Sequence, residues 1–230
     1  MYEYFIFSLI LLGIWLAIYI VKKSLRREML IVSWFTAPVG LTQPLFLGVY
    51  WNPSSLFNLN NIIGFDIESI MFSFAIGGIV AVLYESMLRI EHVKVGKGTY
   101  DRGGFFHKVA IVSPILIFFP LYFLTDTNPI FSTVFALFIG GVLTIICRRD
   151  LAKNTVVGGV LFTVLYLVFF LFVNLADPNF VNYWNLSEIT GVLVFGIPLE
   201  ELLFAFAFGM MWSSVYEHTF GYMIKAKSRK

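Results

Sequence analysis

Gly196-Ile197-Pro198-Leu199-Glu200-Glu201-Leu202-Leu203-Phe204 sets two adjacent carboxylates near the start of an apolar and aromatic run that extends from 189 to 216. A charge inside hydrocarbon costs a few kcal/mol even on lenient insertion scales, roughly 2.5–3.5 for Asp. Acids are kept in such a place chiefly when they face a cavity, a partner or a substrate. The plainer alternative is that they hydrogen-bond other helices and hold a bundle together. The surroundings are membrane-like throughout: 59% of residues are hydrophobic, 18% aromatic and 13% charged, with a mean hydropathy of +0.84. Soluble domains carry about a quarter charged residues. The predicted class is therefore an all-α integral membrane protein.

Working outward from that run, seven stretches approach the roughly twenty apolar residues that span a bilayer as a helix: 4–21, 29–50, 57–84, 109–124, 130–147, 155–174 and 189–216. Pro38 and Pro44 in the second and Pro198 in the seventh predict kinks. The third and seventh are long for straight spans, which predicts tilt or a break. The first begins Met1-Tyr2-Glu3 with no basic region before it, and reads as a retained helix. The 16 Lys and Arg residues fall only in alternate connections: Lys22 to Arg27, Arg89 to Lys108, Arg148 to Lys153, and Lys225 to Lys230. By the positive-inside rule this predicts a multi-pass protein of the cell membrane, N-terminus outside and C-terminus cytoplasmic. The basic clusters serve as that topology signal, so no nucleic-acid role is assigned to them.

The acidic stretch also recurs. Asp66-Ile-Glu68-Ser69-Ile-Met-Phe72-Ser-Phe74-Ala-Ile-Gly77 lies on Pro198-Leu-Glu200-Glu201-Leu-Leu-Phe204-Ala-Phe206-Ala-Phe-Gly209, and the match runs ungapped to Tyr84-Glu85 and Tyr216-Glu217. Upstream, Tyr50-Trp51-Asn52 recurs as Tyr183-Trp184-Asn185, and Lys22-Lys23-Ser24-Leu25 resembles Arg148-Arg149-Asp150-Leu151. Three landmarks in one order predict two parallel three-helix repeats joined by a linking fourth helix, a 3+1+3 arrangement. The predicted boundaries are 1–88 for the first repeat, 89–128 for the basic loop and linking helix, and 129–230 for the second repeat.

Glu68 and Glu200 are equivalent positions in this alignment. Burial and a neighbouring carboxylate both favour the protonated form of an acid, which suits general-acid catalysis. Glu201 follows about 100° round the helix. Glu200 with Phe204, and Glu68 with Phe72, are i, i+4 pairs and share faces. An acid beside aromatic rings suits a reaction that makes a carbocation, because the acid supplies a proton and ring faces stabilise the cation. Most of the 26 Phe residues are ordinary packing. Tyr84-Glu85 and Tyr216-Glu217 read as interface anchors. The single cysteine, Cys147, abuts Arg148 at a segment end, so neither a disulfide framework nor a cysteine-based metal site is expected from the sequence. His92, His107 and His218 fall in polar connections, so no buried histidine cluster and no metal are expected, and no cofactor fingerprint is present.

Pro-x-Glu-Glu followed by Phe, late in a three-helix membrane repeat, resembles the lycopene cyclase domain family, here in its single fused form. Pro198, Glu200, Glu201 and Phe204 match the motif. The first copy departs from it, with Asp66 at the proline position and Ser69 at the second acid, while Glu68 and Phe72 are retained. The resemblance implies acid-catalysed cyclisation of the linear ends of lycopene to β-ionone rings, without net redox change. It implies Glu200 as acid, Glu68 as its counterpart, Glu201 as base or cation stabiliser, and Phe204, Phe72, Pro198 and Asp66 at the substrate. The implied partners are a lipophilic polyene and the bilayer; homo-oligomer formation stays open, as do the ring isomer and the number of ends closed. The rival readings are a proton-coupled transporter and a non-catalytic membrane subunit. A retinal protein is disfavoured because no span holds a lysine. A protease pairing Glu-Glu with buried histidines is disfavoured by the expected exposure of all three His.

Overall fold

A computed structural model describes residues 3–88, 90–96 and 104–226. Of the basic residues used above for topology, Arg89, Lys97, Arg102, Lys227, Arg229 and Lys230 lie outside the described residues. The described residues are predominantly helical, and among them five helices are long and apolar enough to cross a membrane. These are α1 (Glu3–Val21), α4 (Ile67–Met87), α5 (Phe105–Leu124), α6 (Pro129–Cys147) and the span Arg149–Ala176, most of which is α7 (Ala152–Ala176).

The second and seventh apolar stretches are built differently, in ways their prolines explain. The second opens as α2 (Arg26–Thr36) and tightens into 3-10 turns over Ala37–Leu45, where Pro38 and Pro44 each remove a backbone donor. The third stretch is not helical from residue 57. A single turn, α3 (Asn60–Ile63), ends at left-handed Gly64, and α4 starts only at Ile67. The seventh begins as a hairpin, β2 (Leu193–Val194) with β3 (Ile197–Pro198). Its two-residue turn has positive φ at both Phe195 and Gly196, the geometry that suits a tight hairpin. Helix α8 (Leu199–Trp212) starts directly after Pro198, and after Ser213-Ser214 the chain resumes as α9 (Val215–Phe220). The all-α expectation is corrected again by β1 (Ile90–Lys94), which pairs antiparallel with β4 (Tyr222–Ala226).

Two compact units emerge. The first comprises Met1–Ile79, Asn128–Ile130 and Leu165–Leu202; the second comprises Val80–Thr127, Phe131–Val164 and Leu203–Lys230. In the first, the Tyr-Trp-Asn triplets pair reciprocally: Asn52 N–H donates to Tyr183 O at 2.7 Å and Asn185 N–H to Tyr50 O at 2.8 Å. Trp15 Nε1 donates to Ser33 Oγ at 2.8 Å, which fixes α1 against α2. Phe7, Phe169, Phe170, Phe180 and Trp184 form a buried aromatic cluster with mostly edge-on contacts.

The second unit depends on close backbone approach. A Cβ on Gly209 of α8 would meet Gly159 Cα of α7 at 2.7 Å and Gly158 O at 3.1 Å, so only glycine fits without separating the two helices. Gly209→Ala is expected to lower stability by about 1–3 kcal/mol, the range for overpacking a tight interior. Unfolding of the detergent-solubilised protein checks this. In the same unit Arg148 is buried, not a free surface charge. It forms a two-bond pair with Asp150 at 2.8 and 2.6 Å, and donates to Tyr222 O and Glu217 O.

Candidate active site

The first turn of α8 belongs to the first unit and presents both acids of the motif. Pro198 is buried at the end of the hairpin and launches the helix, so Glu200 and Glu201 are held at a fixed entry point. Glu201 is buried and accepts three hydrogen bonds. Tyr50 Oη donates to Oε1 at 2.6 Å, Trp184 Nε1 donates to the same oxygen at 2.9 Å, and Tyr166 Oη donates to Oε2 at 2.9 Å. Trp can only donate, so this oxygen must accept from it. Glu200 is fully buried and differently placed: Oε1 accepts the Thr190 backbone N–H at 2.9 Å, and among the described residues Oε2 has no partner.

Aromatic rings stand around this pair. Tyr166 packs edge-on against Phe170 at 4.6 Å and Phe72 at 6.4 Å, and Trp184 contacts both Phe170 and Phe180. Phe72 is thus brought to the Glu201 side of the unit through Tyr166. Phe204, one turn beyond Glu200 along α8, falls in the second unit and stacks on Phe208 at 5.5 Å.

The acids of α4 occupy the equivalent first turn. Glu68 is buried and accepts the Leu56 backbone N–H at 2.6 Å, as Glu200 accepts that of Thr190. Asp66 pairs with Gln43, receiving its Nε2 at 2.8 Å and donating its own backbone N–H to Oε1 at 2.6 Å. Its other oxygen takes the Asn60 N–H at 3.0 Å, so every oxygen of Asp66 is committed to shaping the loop before α4. Tyr4 bonds Ser69 at 2.9 Å and lies within electrostatic reach of Asp66, Glu68 and Glu201 together. Sequence reasoning missed Tyr50, Tyr166 and Trp184 as partners of Glu201. Tyr50 and Trp184 stood out only as repeat landmarks, and Tyr166 carried no signal in its apolar helix.

Two expectations about the second unit need correction. Glu85 and Glu217 are not interface anchors but buried, and both bond His92 Nε2, at 3.1 and 2.8 Å. Their place at helix ends disguised them as surface groups. Burial works against charging His92, but the bonds to Glu217 and Glu85 outweigh it and push the imidazole up to about 10. Burial pushes the Glu217 carboxyl up to about 7 against the opposing His92 bond. Both groups hold a proton more tightly in the folded chain. Their contribution to stability is therefore greatest at acidic pH; the His92 share is full below its unfolded value of 6.5 and lost as pH rises through about 10. Thermal stability in detergent is expected to fall across that window, and His92→Gln to flatten the dependence.

The second correction concerns the histidines. His107, in the first turn of α5, and His218, in α9, are buried at 5% and 1% exposure, and they meet Cys147 at the end of α6. Hydropathy placed them in connections because polar helix ends look like loops.

Compared with known proteins, residues 127–219 match the family model for lycopene cyclase. No curated protein and no solved structure matches the chain. The matched segment contains Pro198, Glu200, Glu201 and Phe204, and with them the hairpin and helix that position the acid pair. The match over this segment supports a lycopene cyclase family assignment.

Proposed function

We propose that this membrane protein is a lycopene β-cyclase that closes the linear ends of lycopene by proton-initiated carbocation chemistry. The family match supports a carotenoid cyclase in general; the ring type, the residue roles and the stepwise course through γ-carotene to β-carotene are this reading's own. The observation that carries it is the unequal pair on α8. Glu201 accepts three hydrogen bonds, while among the described residues Glu200 keeps one buried oxygen without a hydrogen-bond partner.

In this reading Glu200 adds its proton to the terminal double bond of lycopene, leaving a tertiary cation. The internal alkene attacks that cation and closes a six-membered ring, and loss of a ring proton sets the double bond. One proton enters and one leaves, so the step is an isomerisation. Glu201, fixed in place by Tyr50, Tyr166 and Trp184, is the group assigned to stabilise the cation electrostatically and to take part in proton return. The faces of Phe72 and Tyr166 add quadrupolar stabilisation. Glu68 is the counterpart acid, Asp66 shapes its loop, and Phe204 keeps the substrate-binding role that the resemblance implies.

The seven-span, 3+1+3 arrangement with the N-terminus outside belongs to the same proposal. It is supported by α4 and α8 starting at aligned residues, by the matching Glu68 and Glu200 bonds, and by the reciprocal Tyr-Trp-Asn pairing. Pigment chromatography of a lycopene-accumulating bacterium expressing the chain alone tests the function. β-Carotene is the expected product. Unchanged lycopene in cells that contain the protein in their membranes would overturn the reading and favour a transporter or a non-catalytic subunit.

A further inference from the structure

We propose that His107, Cys147 and His218 form a binding site for one zinc-type transition-metal ion, built into the second unit and not used by the acid chemistry of α8. The chain has one cysteine and three histidines, and this fold brings the cysteine and two of the histidines to one point. They arrive from three elements, the first turn of α5, the last residue of α6 and the short helix α9. Ligand-capable atoms of all three lie within 4.8 Å of one another.

The spacing suits a shared ion. Zinc at about 2.3 Å from sulfur and about 2.0 Å from nitrogen, with tetrahedral angles, places S and N about 3.5 Å apart. Cys147 Sγ and His107 Nδ1 are 3.8 Å apart, a few tenths from that separation. The His107 and His218 rings meet edge-on with centroids 4.6 Å apart. His218 Nε2 is buried and has no hydrogen-bond partner among the described residues, and a buried ring nitrogen left so is costly. Its other nitrogen, Nδ1, lies 3.5 Å from the Thr144 hydroxyl, which orients the ring and leaves Nε2 to bind. Arg148, the residue after Cys147, is paired with Asp150 through two hydrogen bonds.

One thiolate and two imidazoles select zinc and its neighbours over magnesium or calcium, which prefer oxygen. Three protein ligands leave a fourth position for water, and the bound ion ties α5, α6 and α9 together. Cobalt reads such a site directly. Metal-free full-length protein in detergent, titrated with Co²⁺, is expected to bind one equivalent, with tetrahedral d–d bands and a sulfur-to-cobalt charge-transfer band that Zn²⁺ abolishes. Cys147→Ser should remove the charge-transfer band, and His218→Ala should weaken binding by more than about 10-fold. Because the chain has a single cysteine, the unmutated protein gives a second reading: Zn²⁺ should slow maleimide alkylation of Cys147 more than about 10-fold. No charge-transfer band in folded protein, cobalt binding unchanged by Cys147→Ser, or equal alkylation rates with and without zinc would each overturn the proposal. None of these readings depends on cyclase activity.

Discussion

Glu200→Gln is expected to lower ring closure by about 10²–10⁴-fold, the usual contribution of a positioned general acid, with little loss of folded protein. The geometry makes this substitution informative. The Gln side-chain carbonyl can keep the Thr190 N–H bond that Glu200 Oε1 accepts, and the amide nitrogen takes the place of the oxygen that has no partner. Shape and hydrogen bonding survive, while the transferable proton is gone. Membrane yield measured beside product formation separates the two effects. Cyclisation at the unmutated rate would remove Glu200 from the mechanism and leave Glu68 as the remaining candidate acid.

The second large effect is at Glu201, where two substitutions divide charge from structure. Glu201→Gln can retain all three contacts: its carbonyl accepts from Tyr50 and Trp184, and its amide donates to a rotated Tyr166 hydroxyl. What is lost is the carboxyl's capacity to carry a negative charge, and activity should fall about 10²–10³-fold, as when an electrostatic stabiliser of a transition state is removed. Glu201→Ala leaves three buried donors facing nothing, each costing about 1–3 kcal/mol. It is expected to lose both activity and much of its folded yield. Paired measurements of turnover and thermal unfolding distinguish these outcomes. Equal, small effects of both substitutions on turnover would make Glu201 a structural group alone.

The membrane class and the acid pair were legible because each is a local pattern: charge inside an apolar run is visible without knowing what it touches. Pro198 as a helix start was legible for the same reason, since a missing donor costs least there. The hairpin from Leu193 to Pro198 was not, because its residues are as apolar as the helix that follows and hydropathy does not separate them. The three donors around Glu201 come from elements far apart in the chain, and Tyr166 is one of 11 tyrosines with nothing local to mark it. His107 was hidden because α5 begins at Phe105, ahead of the apolar run that starts at 109, and a polar helix end reads as a loop. The same error made Glu85 and Glu217 interface anchors, whereas their burial with His92 follows from the β1–β4 pairing that no local pattern announced.

Solvent isotope incorporation tests most directly whether a proton delivered by a buried acid starts ring closure. Purified protein given lycopene in D₂O should yield cyclic product with one deuterium per ring, retained on the CH₂ beside the gem-dimethyl carbon. The label should disappear along with product formation in Glu200→Gln. Cyclic product without deuterium at that carbon would contradict proton-initiated closure and the role assigned to the acid pair.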